Sequence, residues 1–245
     1  MIFFSRRKSL SETDLSWLVT DFHSHLLPGI DDGSPDVETS LLLIKGLQSL
    51  GYKKLITTPH VLWEMYPNTT DTIESALNKI LPVLQKQNPE IELKAAAEYY
   101  IDDHFQTELK SKTRLLPISG RKILVEFSML IPPIELKDVL FELQIQNYEP
   151  ILAHPERYVY LEKQKGYFDI LKDFGCFFQL NLLSLTGHYG PVVQSLAEFL
   201  IKKNYYDFIG SDVHHERHIE ALKKMGTPAM LKKLKESGKI KNQLL

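Results

Sequence analysis

The residues of this chain that could do chemistry are histidines and carboxylates, and their positions are regular. His23 with His25, His60, Glu98, Glu126, His154, and Asp212 with His214 all stand at the ends of short apolar runs. His23 and His25 are two apart on an extended segment, so both side chains point the same way. Asp212 and His214 repeat that geometry. Two ligands on one face are what a metal centre needs. A set of His and carboxylate without thiolate suits Mn, Fe, Zn or Mg and argues against Fe–S or Cu(I). Asp31-Asp32-Gly33 alone reads as a turn, but its closeness to His25 makes one Asp a candidate. With Asp32 the candidates number nine, too many for one ion and suited to two or three. Each piece has a plainer reading by itself: a His-x-His is more often a capping pair, and a strand-end Glu or His more often meets solvent. The joint pattern carries the metal reading. His104, His188, His215 and His218 are not at strand ends and read as surface residues, although the loop 186–190 places His188 toward the site.

What must position these residues is an alternation of elements. Apolar runs predict seven strands: 17–22, 54–58, 91–97, 122–125, 150–153, 176–180 and 208–210. Helical spacing fills the intervals, starting at Ser34-Pro35, at Thr70-Asp71, after Pro132-Pro133, at Phe168 and at Tyr189. Such alternation means parallel strands with helical crossovers. In a parallel barrel all strand ends meet at one face, where active sites are built. Seven units in 245 residues suit one closed α/β barrel of the (β/α) TIM-like kind, with an open doubly wound sheet as the alternative. No Gly/Ser-rich or Pro-rich linker interrupts the chain, so residues 17–245 read as a single domain and 1–16 as an N-terminal surface arm.

Composition narrows the class. Twenty-nine Lys+Arg against 31 Asp+Glu give a net charge of -2, which disfavours a nucleic-acid binder. The tail lysines (Lys223, Lys224, Lys232, Lys233, Lys235, Lys239, Lys241) read first as a solvated helix face, and second as a rim for acidic phosphopeptides. No apolar run approaches a membrane span, and the start lacks the order of a signal peptide, so no stable membrane insertion and a cytoplasmic location are expected. A weak membrane or partner anchor is the lesser reading of the arm. The single cysteine, Cys176, excludes an intramolecular disulfide. It also fails as a phosphatase thiol: six positions on stands Leu182 rather than Arg, and its apolar strand reads as packing. No Gly-x-Ser-x-Gly elbow, Walker A loop or Gly-x-Gly-x-x-Gly is present.

The motifs together resemble a known superfamily. They are 21–25 (DFHSH), 27–33 (LPGIDDG), 58–60 (TPH), 97–100 (AEYY), 125–128 (VEFS), 153–158 (AHPERY) and 211–214 (SDVH). From Asp21 to the C-terminus the chain resembles the PHP (polymerase and histidinol phosphatase) superfamily, and more closely its bacterial metal-dependent protein-tyrosine phosphatases of capsule and exopolysaccharide loci. The resemblance implies a distorted seven-stranded barrel holding two to three divalent ions, manganese foremost. By motif, one ion would take His23, His25, Glu98 and Asp212. A second would share Glu98 and add Glu126 and His154, and a third would take Asp32, His60 and His214. Arg157 matches a phosphate-contacting arginine, and Arg217 stands near the position of a second, in a shorter loop.

Such a centre suits phosphomonoester hydrolysis. Clustered cations make hydroxide available near neutral pH and neutralise phosphate oxygens. An arginine fork can hold two of those oxygens; its plainer role would be a surface salt bridge. Tyrosine, with a pKa near 10, needs little acid assistance to leave, and His188 or water could supply it. The expected substrate is phosphotyrosine on a protein, with an autophosphorylating bacterial tyrosine kinase as the partner implied by the family. The competing readings are a PHP phosphoesterase on a small phosphomonoester such as histidinol phosphate, and a non-catalytic metal-stabilised binding domain.

Overall fold

The strand–helix alternation is realised in the computed structural model, which describes residues 13–245. Among the described residues, nine strand segments, all paired in parallel, form two sheets. One contains β1 (Thr20–Asp21), β2 (Lys54–Thr57) and β4 (Glu92–Ala95), in that order. The other runs β3 (His60–Val61), β5 (Glu98–Tyr100), β6 (Lys122–Glu126), β7 (Glu149–Ala153), β8 (Phe177–Asn181), β9 (Tyr206–Gly210). Among the described residues there are eight α-helices: α1 (Val37–Ser49), α2 (Thr70–Gln87), α3 (Asp103–Lys110), α4 (Leu136–Ile145), α5 (Gly166–Asp173), α6 (Pro191–Lys202), α7 (Glu216–Met225) and α8 (Ala229–Ser237).

The departures from expectation have local causes. The second predicted strand breaks at Thr58-Pro59, where proline has no N–H for the ladder. The third breaks at Ala96-Ala97. Ala96 N–H still bonds Thr57 in the first sheet, while Glu98 N–H bonds Pro59, so the chain passes from one sheet to the other at these points. The first predicted strand shrinks to Thr20–Asp21 because Ser16–Leu18 is a 3-10 turn, opened by Ser16 N–H donating to the Asp14 carboxylate and left through Val19 at φ 64°. Helix α1 starts after Asp36, whose carboxylate accepts from Thr39 N–H at 2.7 Å, rather than at Ser34. Helix α6 starts at Pro191, because Gly190 at φ 93° cannot be helical.

Strand residues Ile56, Leu124, Ile151 and Phe208 join Phe22 and Ala96 in one buried cluster, and a larger one ties the sheets to the helices. Strands β1 and β9 belong to different sheets, yet their ends meet. Ser24 bridges Val213, and Asp212 N–H bonds His23 O at 2.7 Å. The buried Asn242 amide spans the same seam, donating to Thr20 O (2.9 Å) and Ile209 O (2.6 Å) and accepting from Ile209 N–H. Thr13 and Leu15, within the range expected to be a surface arm, are buried, and the Thr13 hydroxyl bonds Leu222 O. Residues 1–12 lie outside the described residues. No described helix is long and apolar enough to cross a membrane.

Candidate metal centre

The ligand candidates sit where strands end or break. His60 and Glu98 open β3 and β5 and face each other in register, and Tyr100 is paired with Glu126 at the end of β6. His154 follows β7 at φ 32° and Asp212 follows β9 at φ 52°, left-handed conformations that non-glycine residues take only where surroundings enforce them. Gly33 brings the Asp31-Asp32 turn against His25, since a Cβ there would collide with the His25 backbone carbonyl and Cβ. Gly210 lets β9 pass His23, since its Cβ would lie 2.7 Å from that of His23.

All nine candidates converge. His23 Nε2 lies 3.1 Å from Glu98 Oε2 and 3.3 Å from Asp212 Oδ1, and His25 Nε2 lies 3.4 and 3.5 Å from the same atoms. His60 Nδ1 is 3.3 Å from both Glu98 and Glu126, and His154 Nε2 is 3.5 Å from Glu98 Oε1. Asp32 Oδ1 stands 3.6 Å from His60 Nε2 and 3.5 Å from His214 Nε2. Two ligands each about 2.1 Å from one ion lie about 3.0–3.4 Å apart, so these separations suit shared cations. Four overlapping groups result: His25, Asp32, His60 and His214; His23, His154 and Asp212; His23, His25 and Glu98; His60, Glu98 and Glu126. The grouping differs in three places from the one the motifs imply: His25 also joins Asp32, His60 and His214, His60 reaches Glu98 and Glu126, and His154 clusters with His23 and Asp212.

The polar bookkeeping inside the centre asks for cations. His25 Nε2, His60 Nδ1 and Glu98 Oε1 are buried without hydrogen-bond partners, a costly state for a polar atom. Burial opposes charge on His23, yet Glu98 and Asp212 outweigh it and lift the imidazole to about 9. Burial likewise works against ionised Glu98 and Asp212, but facing imidazoles such as His23 hold both well below the usual carboxylate range. Positive charge is required among these carboxylates, as protons on histidine or as metal ions. The donor set fits hard to borderline divalent ions.

Around the ligands stands a supporting layer that the sequence reading missed. His23 Nδ1–H donates to Gln179 Oε1 at 2.9 Å, which also accepts from His154 N–H at 3.2 Å. His25 Nδ1–H donates to Asp31 at 2.7 Å, leaving Nε2 for the centre. Asp31 also accepts from the N–H groups of Gly33 and His60, so of the adjacent aspartates Asp31 orients and Asp32 faces the histidines. Asn181 Nδ2 donates to Asp212 Oδ2 at 2.8 Å. The fully buried Glu156 accepts from Asn181 N–H, Ser184 and Tyr206, tying the His154–Arg157 turn to β8 and β9. The available signal was a lone polar residue, Gln179, inside the apolar run of β8.

Beside the centre opens a recess of about 330 Å³ lined by Asp32, Arg157, Tyr189, Asp212, His214, His215 and His218. Arg157 Nη1 donates to Asp212 Oδ2 at 2.9 Å, and its guanidinium lies over the Tyr189 ring. Its salt bridge is thus with a ligand candidate, not with a surface Glu. Arg217 and His188 do not line the recess: Arg217 is exposed in the first turn of α7, and His188 is exposed, 5.6 Å from the His218 ring. His215 and His218 hold the nearer positions. A larger recess of about 410 Å³, near Thr13 and Lys223, is remote from these groups and holds none of the nine. Cys176 is buried, and burial pushes its thiol up to about 12.

A family model described as capsular polysaccharide synthesis, CpsB/CapC, matches residues 19–241. CapC of Staphylococcus aureus is 29% identical over 228 residues, 91% of this chain and 84% of its own. The tyrosine-protein phosphatase YwqE of Bacillus subtilis is 28% identical over 196 residues, 80% of this chain and 77% of its own. The fold also matches a crystal structure from work on YwqE of Bacillus subtilis and CpsB of Streptococcus pneumoniae, described as metal-dependent tyrosine phosphatases. That match has a TM-score of 0.78 at 24% identity and covers 92% of this chain and 90% of that one.

Proposed function

The chain belongs to the capsular polysaccharide synthesis CpsB/CapC family, and on that footing we propose that it is a metal-dependent protein-tyrosine phosphatase. The observation that carries this reading is the convergence of nine ligand side chains, with orphaned buried atoms among them, beside a recess bordered by Arg157. When bound, two or three divalent ions, manganese foremost, would supply activated water and neutralise phosphate oxygens. His23, His25, Glu98 and Asp212 would hold one, Glu98, Glu126 and His154 a second, and Asp32, His60 and His214 a third. The approach of His60 Nδ1 to Glu98 and Glu126 supports His60 as an added ligand of the second.

The protein's own groups do the rest. One nitrogen of Arg157 is committed to Asp212, and its other N–H groups remain to clasp phosphate oxygens in a fork. A phenol leaving group needs little protonation; burial holds His215 below the usual imidazole range and His218 down to about 4, so neither carries a proton to give near neutral pH, and water or His188, beyond them, would supply it. The substrate in this reading is phosphotyrosine on a protein, and the partner an autophosphorylating bacterial tyrosine kinase of polysaccharide export, in the cytoplasm. The two sheets belong to one distorted seven-stranded barrel, a reading supported by the Ser24–Val213 bridge, the Asn242 contacts and the strand-derived cluster. Residues 17–245 form it as a single domain, with Thr13 and Leu15 of the preceding stretch packed into it.

Metal-loaded protein should release phosphate from phosphotyrosine peptides, and His154→Ala should abolish release. Activity that survives EDTA or the His154 change would sink the metal mechanism. A kcat/KM for histidinol phosphate above that for the peptide would move the substrate to a small phosphomonoester.

A further inference from the structure

Arginine is a long side chain with much rotamer freedom to lose when it is fixed. A single hydrogen bond from Nη1 to Asp212 anchors one end of the Arg157 guanidinium but leaves its plane free to turn. The second constraint is Tyr189: the guanidinium carbon lies 4.6 Å from the centroid of the tyrosine ring. The ring is itself held. Asn181 Nδ2 donates to Tyr189 Oη at 3.2 Å and to Asp212 Oδ2 at 2.8 Å, so one amide steadies both supports of the arginine. The backbone under Tyr189 is a tight turn: Gly190 N–H bonds Gly187 O at 2.9 Å, both glycines have positive φ, and Pro191 starts α6 at once. Arg157 nonetheless keeps 27% of its side chain exposed and lines the recess.

We propose that Tyr189 is a positioning residue for phosphate capture, its ring face setting the plane in which Arg157 meets the phosphoryl oxygens. This rests on the phosphatase reading above and adds to it a residue that never touches the reacting atoms. What acts is the ring face and not the hydroxyl, because the cation lies over the π-system. Phenylalanine can therefore substitute and an aliphatic side chain cannot.

The test is a double-mutant cycle on the metal-loaded protein, pairing Tyr189→Leu with Arg157→Lys. It is read as kcat/KM on a phosphotyrosine peptide and as the binding constant of inorganic phosphate by calorimetry. Tyr189→Leu should lower kcat/KM about tenfold and weaken phosphate binding in step, between what an exposed and a fully desolvated cation–π contact supply. Tyr189→Phe should stay within about threefold of the parent. In the Arg157→Lys background, Tyr189→Leu should add less than about twofold. Equal effects of Tyr189→Leu in both backgrounds, or failure of Phe to rescue, would overturn the proposal. Tyr189→Met, of similar reach, replaces the leucine variant if that one does not fold. A parent that binds phosphate but turns over no phosphopeptide refutes the phosphatase reading alone, since the calorimetric cycle still decides the Tyr189–Arg157 pair.

Discussion

Replacing Gln179 by Leu should separate metal affinity from the ligands themselves. Gln179 touches no candidate ion site with its own atoms; it presents Oε1 to His23 Nδ1–H at 2.9 Å and to His154 N–H at 3.2 Å, wholly buried. Leucine fills similar space and removes the acceptor. Two buried donors then lose their partner, each at about 1–3 kcal/mol, so the metal-free protein should lose about 2–6 kcal/mol of stability. His23 also loses the bond that fixes its proton on Nδ1 and its Nε2 toward Glu98 and Asp212. Removing such an orienting partner typically lowers metal affinity about 10–100-fold. The assay is phosphatase activity against buffered free manganese, with urea denaturation of the EDTA-treated protein in parallel. A manganese dependence shifted by less than about threefold, with an unchanged urea midpoint, would refute the argument that Gln179 holds His23 and His154 in place.

Other consequences follow from the same geometry. His23 binds its proton more tightly in the folded state, at about 9, than unfolded, at about 6.5. Its contribution is therefore complete below pH 6.5 and disappears as pH rises through 9, while Glu98 and Asp212, held low, contribute above about pH 4 and fail in acid. Metal-free protein should thus melt lower at pH 9 than at pH 6 and metal-loaded protein should not; a metal-free melting temperature that rises over that interval contradicts the electrostatic account. Iodoacetamide at pH 8 should leave activity intact, because the Cys176 thiol is buried and pushed up to about 12; inactivation by alkylation would show that the thiol matters. Gly33→Ala should cost about 1–3 kcal/mol, because the added methyl meets the His25 backbone, and an alanine variant as stable as the parent in urea would show that the turn can move aside.

The ligand types and their strand-end positions were legible in the sequence because parallel topology converts sequence order into one shared face. That His23, His60, Glu98, Glu126, His154 and Asp212 would converge could be read from the ends of apolar runs alone. The supporting residues were not legible for a physical reason. Gln179 and Asn181 act through contacts made across strands, with His23 156 positions away and Asp212 31 away. Polar types inside a strand carry no local mark of such a partner. Asp31 and Asp32 have the same chemistry in one turn, and only the approach of Gly33 to His25 decides which of them faces the histidines. Arg217 and His188 had the right chemistry and the right neighbourhood, but their side chains lie at the surface beyond His215 and His218.

The strand breaks that blurred the prediction are also what build the centre. An unbroken strand sends successive side chains to opposite faces, so the face that His60 and Glu98 present depends on where each new strand begins. The break at Thr58-Pro59 ends β2 and restarts the chain in the second sheet, and the break at Ala96-Ala97 does the same for β4. His60 and Glu98 become the first residues of new strands and are paired directly across them. At β7 and β9 a left-handed residue does the equivalent work, turning His154 and Asp212 inward at the last step. Each such residue costs on the order of 1–3 kcal/mol, which the hydrogen bonds of His154 N–H to Gln179 and of Asp212 N–H to His23 O help offset. Regularity is given up at four places where a candidate ligand leaves the strand direction, while Glu126 ends the regular strand β6, so irregular residues and strand ends together set the geometry of the candidate centre.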